Sequence, residues 1–403
     1  MTADPPRRRS ASPDIGPGTA LRFVVLLGFL SLFGDMTYEG ARSVTGPFMA
    51  TLGASAVIVG TVSGLGELAG YVLRLVSGYV TDRSQRYWTA VFIGYGINLF
   101  SVPLLAFAGH WQIAAFLIVI ERTGRAIRKP AGDAMLAHAA SAMGRGWGFG
   151  LREAMDQTGA VIGPLIVALV LARHAGYHRA FALLGIPAAL ALGVLLLGQR
   201  LYPHPQNLEV RRAATPAPRH LPDAFWIYVA AGIAIALGTV DFPLAAYHFA
   251  RAGVVPAVEV PLLYALAMVA SAVSAPLVGR LYDRLGLGVV AGAALVPAAA
   301  TPLLFLGDAR LVAAGVALWG VGMGVQDATM RSAIGDIVHA DHRARAYGIF
   351  DAAFGIAWFA GSALMGALYG RAPGALVAFS VSAQLAAVVC LSFAKISEKP
   401  SRR

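Results

Sequence analysis

The sequence predicts an all-helical integral membrane protein with twelve spans in two six-helix bundles. Composition points there first: the 403 residues are 57% hydrophobic and 13% charged, where a soluble chain of this length carries about 25% charged residues. Apolar stretches of the ~20 residues needed to cross a hydrocarbon core recur along the whole chain. A polar, proline-rich break near the middle separates two stretches whose residue patterns repeat. The same composition excludes disorder, which requires low hydrophobicity with high net charge.

Apolar runs and the polar breaks between them put the spans at 20–46, 55–80, 88–108, 111–131, 146–172, 178–199, 223–249, 257–280, 288–306, 309–334, 344–369 and 373–394. An even count brings both chain ends to one side. That side collects Arg7, Arg8, Arg9, Arg83, Arg86, Arg145, Arg200, Arg211, Arg212, Arg219, Arg280, Arg284, Arg343, Arg345, Lys395, Lys399, Arg402 and Arg403, and the other mainly Arg173, Arg179, Arg251, Arg310 and Arg371. By the positive-inside rule both termini are cytoplasmic, and the expected location is the plasma (inner) membrane. The organisation is then a tail over 1–19, a first bundle over 20–200, a cytoplasmic linker over 201–222, a second bundle over 223–394 and a tail over 395–403. The arginine-bearing head runs into a full-length span without a small-residue cleavage site, so it is not read as a cleaved signal.

Several function classes drop out. One cysteine, Cys390, excludes an intramolecular disulfide and a cysteine-based zinc site. His174 with His178, and His339 with His342, have ligand-like spacing but fall in connections, and no HExxH pattern occurs. No metal site is expected. The three lysines, Lys129, Lys395 and Lys399, follow no glycine, so there is no phosphate-cradling nucleotide loop. The net charge of +11 is explained by membrane topology, and no nucleic-acid partner is expected. No constellation of nucleophile and base suggests an enzyme.

The repeat is specific. Gly78, Asp82 and Arg83 recur about 201 positions later as Gly279, Asp283 and Arg284, while Arg145, Gly150, Glu153 and Gly163 recur 198 positions later as Arg343, Gly348, Asp351 and Gly361. Two pattern sets at nearly one offset argue for a duplicated six-helix unit. The stretch from Gly78 through Asp82, Arg83 and Arg86 resembles the signature loop of the major facilitator superfamily, and Gly279 to Gly286 resembles its second copy. Ser84 stands in the first copy where a glycine is common. The resemblance covers essentially the whole chain and implies a pseudo-symmetric transporter that rocks two bundles around a midplane site. Gly159, Gly163 and Pro164 are similar to a glycine-proline motif of the proton-coupled antiporters, with Val167 and Ala168 in place of its trailing glycines. Glycines at i and i+4 share a helix face and permit close approach, and a proline removes a backbone hydrogen bond.

Ionisable residues inside the spans are the remaining signal. Each costs roughly 2.5–3.5 kcal/mol at mid-membrane and therefore faces a cavity or a partner. Asp35, Glu39 and Arg42 lie on one face of the first span, with Asp35 near the midplane at about 1.5 Å per residue. Asp35 and Glu39 are the candidate proton-coupling pair, because two carboxylates one turn apart away from water disfavour the doubly charged state. A static ion pair to Arg42 is the alternative. The candidate substrate cavity comprises Arg42, Glu67, Tyr71, Arg74, Glu121, Arg122, Arg125, Asp156 and Asp241. Helix geometry turns the neighbours Glu121 and Arg122 in different directions. Arg122 and Arg125 suit either an anionic substrate group or Asp35 and Glu39. The candidate cytoplasmic gate comprises Gly78, Asp82, Arg83, Arg128, Glu153, Gly279, Asp283, Arg284, Asp327, Arg331 and Asp351, whose ion pairs close one state and part in the other.

The expected function is secondary active transport of a small organic compound, with proton-coupled export as the leading reading. Proton-coupled uptake or exchange of an organic anion is the alternative, and a transport-dead sensor on the same scaffold is a third. No cofactor is expected, the proton gradient being the energy source. The expected partners are the substrate, protons and the lipid bilayer, with a monomer sufficient.

Overall fold

The computed structural model describes residues 17–140, 145–203, 221–285, 287–338 and 343–397. Most of the linker, 204–220, and the His339/His342 pair lie outside the described residues. The first half comprises α1 (Pro17–Arg42), α2 (Thr45–Thr51), α3 (Ala56–Ser84), α4 (Tyr87–Leu104), α5 (Trp111–Ala140), α6 (Arg145–Ala172), α7 (Gly176–Leu183) and α8 (Gly185–Leu201). The second comprises α9 (Asp223–Gly238), α10 (Phe242–Ala252), α11 (Glu259–Leu285), α12 (Leu287–Leu306), α13 (Ala309–Ile337), α14 (Arg343–Arg371) and α15 (Pro373–Ser397). Among the described residues ten helical stretches are long and apolar enough to cross a bilayer. Two more helices complete the twelve: α5, whose apolar run is broken by charged residues, and α12.

Three spans read from the sequence as continuous, the first, sixth and seventh, divide into two α-helices each, the sixth at Leu184 between α7 and α8. The first divides into α1 and α2, where the Ser43 and Thr45 hydroxyls donate to the carbonyls of Gly40 and Ala41 at 2.7 and 2.9 Å. The seventh divides into α9 and α10 ahead of Pro243, which has no backbone donor. Trp319 Nε1 donates to the Val240 carbonyl at 2.8 Å and Ser380 Oγ to that of Gly238 at 2.6 Å. Irregular backbone at membrane depth persists where side chains satisfy it in this way. α5 runs to Ala140, past the expected end near 131, with Pro130 inside it.

Within the first half α1 packs on α6 and α8, and α5 on α3 and α4; within the second, α9 packs on α14 and α15, and α13 on α11 and α12. The halves meet where α3 lies on α14, α6 on α11 and α2 on α10. One apolar cluster crosses the join, with Met49, Val59 and Ala160 from the first half against Phe242, Tyr264 and Trp319 from the second.

The duplicated glycines have the same task in each half. Gly163 of α6 lies against the Met36 carbonyl and the Gly40 nitrogen of α1, and Gly361 of α14 lies against the Leu237 backbone of α9; a Cβ at either would overlap its neighbour. Gly46 of α2 presses on the Pro243 backbone of α10 in the same manner. That seal is on the face opposite the chain ends. On the terminal face α3 stops at Gln85, whose φ of 56° gives the left-handed turn and whose N–H returns to the Thr81 carbonyl at 2.8 Å.

Replacing Gly163 by alanine therefore separates α1 from α6 and is expected to destabilise the protein by about 1–3 kcal/mol, the usual cost of overpacking. Gly70, which has nothing within 4 Å of a built Cβ, is the matched control, and Gly70→Ala is expected to leave stability unchanged or raised. Thermal unfolding of the two purified variants in one detergent checks this; equal melting temperatures would contradict the packing argument.

Candidate functional site

Three helices of the first half converge on a buried cluster of six charges. Glu67 of α3 is its centre: one carboxylate oxygen, Oε1, lies 3.2 Å from Arg42 Nη2 of α1 and 3.3 Å from Arg122 Nη1 of α5. Arg122 Nε also lies 3.4 Å from Glu121 Oε2. Arg125 links Glu121 and Glu39, both at 3.7 Å, and Arg42 lies 4.0 Å from Glu39. Three arginines face three glutamates, so the cluster is neutral when all are ionised. Two neutral side chains steady it. Asn98 Nδ2 of α4 donates to Glu121 Oε1 at 2.6 Å, and the Tyr264 hydroxyl of α11 donates to Glu39 across the join between the halves.

Local sequence makes this convergence possible. The Arg122 stem lies on Gly66, where a Cβ would sit 2.9 Å from its Cγ, and Gly124 brings α5 against the α4 backbone at Asn98. Arg125 stacks 3.9 Å above the Tyr38 ring, so an aromatic face shares its charge. Beside the cluster a cleft is lined by Tyr38, Arg42, Ser63, Glu121 and Arg122, with Val102, Leu105, Ile118 and, from the second half, Pro243. It combines hydrogen-bonding groups with apolar walls, the usual make-up of a small-molecule site.

Asp35 stands apart from the six. It is buried, it accepts a hydrogen bond from the Tyr38 hydroxyl, and among the described residues no cation lies within ion-pair distance of it. Its Cβ abuts Gly159 of α6. Nearer the terminal face Arg152 bonds Asp133 at 2.6 Å, lies 3.7 Å from Asp156, and donates through Nε to Ser31 at 3.0 Å. Asp156 thus belongs to a second cluster and not to the one around Glu67. In the second half Asp241 accepts from Trp358 Nε1 at 3.0 Å and Ser362 Oγ at 2.6 Å, while remaining close enough to Arg42 and Glu67 to interact electrostatically.

The other sequence-derived positions spread out. Tyr71 packs edge-on against Phe354 and lies under Arg74, 5.4 Å from its ring centre. Arg128, grouped with the gate, is buried over Tyr95 at 4.2 Å. Arg83 and Glu153 are exposed and bond within their own helices, to Tyr79 and Gln157. Arg284 is exposed, Asp351 is half-buried, Gly78 approaches Pro130 at ordinary contact distance, and Gly279 has open space around it. The side chains of Asp82, Asp283, Asp327 and Arg331 lie outside the described residues. His178 Nδ1 pairs with the Ala106 carbonyl at 2.8 Å. One expectation is corrected: Glu121 and Arg122 do not point apart, because their flexible side chains bend together and pair with each other at 3.4 Å, Arg122 also reaching Glu67 and Glu121 also reaching Arg125. Sequence reasoning passed over Asn98, Tyr264, Asp133 and Arg152. A lone amide in an apolar span was the available signal for the first, and the i, i+4 pair with Asp156 for the last.

A helical bundle of twelve spans, joined by glycine-tight contacts and carrying charge at its centre, defines a multi-pass membrane transporter. The Major Facilitator Superfamily model matches residues 24–306 and 225–403, and the chain belongs to that family. An uncharacterized protein of Mycobacterium tuberculosis is 41% identical over 93% of this chain and 93% of its own. An uncharacterized MFS-type transporter of Methanocaldococcus jannaschii is 29% identical over 37% of each. Among solved structures, the nucleoside transporter NupG is similar with a TM-score of 0.70 at 14% identity, covering 94% of this chain and 100% of that one. A POT family transporter in complex with 5-aminolevulinic acid scores 0.74 at 13% identity, with 93% and 96% covered. Those likenesses are of fold.

Breaking one member of the six-charge cluster leaves the others buried and uncompensated. Glu67→Leu is expected to destabilise the protein by about 3–5 kcal/mol, with part of the loss recovered in the Glu67→Leu/Arg122→Leu double variant. Denaturation of wild type, both singles and the double completes the cycle. Additive losses would mean that the two residues do not share an interaction.

Proposed function

We propose that this chain is a proton-coupled secondary transporter that exports a small organic compound by alternating access, with Asp35 carrying the proton. One observation supports this above the others: Asp35 is buried within α1 and bound by the neutral Tyr38 hydroxyl, whereas Glu39, Glu67 and Glu121 are each met by arginines. A carboxylate with no cation at ion-pair distance in a low-dielectric setting changes protonation as its surroundings change; one gripped by guanidiniums acts as a fixed charge. On this reading Glu39 belongs to the framework of the cleft. The cleft by Tyr38, Arg42 and Arg122 is the substrate region, with Arg125 behind it. The energy source is the proton gradient, with no cofactor.

The charged positions at the terminal face, Asp82, Arg83, Glu153, Asp283, Arg284, Asp327, Arg331 and Asp351, form the cytoplasmic gate in this proposal. The seal of α2 on α10 closes the opposite face. The arginine bias of the loops favours cytoplasmic termini in the plasma membrane. A second reading, uptake of an organic anion with protons, draws support from Arg42 and Arg122, which both line the cleft while converging on one carboxylate oxygen.

Everted vesicles with an acidified lumen separate the two. A panel of chemically varied compounds is added outside and lumenal pH is followed with a dye. Export by antiport is expected to give compound-dependent recovery of dye signal in wild type and none with Asp35→Asn. Full recovery in Asp35→Asn would remove Asp35 as the proton carrier. Absence of recovery, together with acid-driven uptake of organic anions in right-side-out vesicles, would establish the second reading.

A further inference from the structure

Asp35 does not border the cleft, whose polar walls are Tyr38, Arg42, Ser63, Glu121 and Arg122, so a compound lodged there reaches Asp35 only through an intermediary. The groups around Asp35 are few. The Tyr38 hydroxyl donates to it, Gly159 of α6 abuts its Cβ, and Asp156 of α6, Arg128 of α5 and Glu39 of α1 act on it through charge. Tyr95 of α4 is near enough to feel its charge, and α8, which also packs on α1, carries only Arg200, exposed near its terminal-side end. Of these groups Tyr38 alone also lines the cleft. Its two parts have different tasks. The buried ring lies under Arg125 and Arg128, whose guanidiniums are 3.9 and 5.6 Å from its centre, and a phenylalanine ring would serve them too. The hydroxyl, which phenylalanine lacks, is spent on Asp35.

A hydrogen bond to an ionised carboxylate is about twice as strong as one between neutral groups, and donation to the charged form favours that form. The Tyr38 hydroxyl is therefore held firmly by ionised Asp35 and loosely by the protonated acid. A group that fills the cleft lies against the ring and keeps it in its present seat. By linkage, this favours the ionised acid to the same extent as ionisation favours the filled cleft. Protonation loosens the seat and frees the ring to enter the space, about 30 Å³, that a compound would occupy. We infer that Tyr38 is the positioning residue through which compound and proton exclude one another, the competition that exchange of one for the other requires. The inference rests on Asp35 as the proton carrier and adds how the cleft communicates with it.

The test needs no transported compound. In the purified full-length protein carrying Cys390→Ala, Ser63→Cys is reacted with methyl methanethiosulfonate, which leaves a methylthio group in the cleft as its occupant. The infrared carboxyl band that Asp35→Asn removes is then followed against pH, with and without this tag. With Tyr38 in place the tag is expected to move the half-point of the band toward acid by about one pH unit, the scale of one hydrogen bond to a charged group. With Tyr38→Phe the tag is expected to leave the half-point where it was. Should Tyr38→Phe not fold, 3-fluorotyrosine at position 38, a stronger donor on the same ring, replaces it, and the displacement is expected to grow. The inference is overturned if the tag has no effect with Tyr38 present, or if the substituted protein that folds responds to the tag as Tyr38 does. Those outcomes leave Asp35 as the proton carrier. Absence of any titrating band that Asp35→Asn removes would instead overturn the Asp35 reading, and this inference with it.

Discussion

Glu67 Oε1 takes two guanidiniums that reach it from different helices, Arg42 of α1 and Arg122 of α5, and much of the first half is arranged so that it can. Charges left singly in hydrocarbon would be expelled or would drag water in after them. Gathered into a neutral set of six, they tie α1, α3 and α5 into one body, with Asn98 adding α4. The small residues serve this arrangement. Without Gly66 the Arg122 stem would be pushed off α3, and without Gly124 the helix that carries three members of the cluster could not lie against α4.

The two halves share a frame but divide the chemistry. Gly163 and Gly361 bring α6 to α1 and α14 to α9 by the same close backbone contact, and both halves break their leading span near the same depth. In the second half, however, the break is secured by neutral groups, Trp319, Ser380 and Gln384, and its buried carboxylate, Asp241, is held by an indole and a hydroxyl. At the broken leading spans, then, ion pairs hold Glu39 and Arg42 in the first half and neutral hydrogen bonds hold Asp241 in the second. Tyr264 and the nearby Pro243 are where the second half touches the charged cleft. A rocking motion of one half against the other would change the surroundings of Glu39 directly through Tyr264, while Asp35 would respond through α1 and Tyr38.

Charges on one helix belong to separate networks. Along α5, Glu121, Arg122 and Arg125 serve the central cluster, and Arg128 and Lys129 face a different cavity nearer the terminal face. Along α6, Arg152 and Asp156 join the terminal-side group through Asp133, and Gly159 and Gly163, a turn or two on, are pure packing contacts. The partners of the buried charges therefore change along these helices over intervals of a single helical turn.

The chain order alone determined the class of the protein: twelve apolar runs, a charged break between two halves and a repeat at one offset leave few other folds, because hydrocarbon demands self-satisfied helices. It also marked which residues are chemically expensive, and six of them, Glu39, Arg42, Glu67, Glu121, Arg122 and Arg125, lie buried together. What only the tertiary structure decided is who partners whom. Periodicity assigns a face to Glu121 and Arg122 but says nothing of long side chains bending back to pair with each other, and it cannot distinguish Asp35 from Glu39, one turn apart on the same face. That distinction comes from helices distant in the sequence, since Arg125 of α5 and Tyr264 of α11 meet Glu39, whereas Asp35 meets the hydroxyl of its own helix and a glycine of α6. Helix periodicity is local, and electrostatic compensation is settled by whichever chain segments packing brings within a few ångströms.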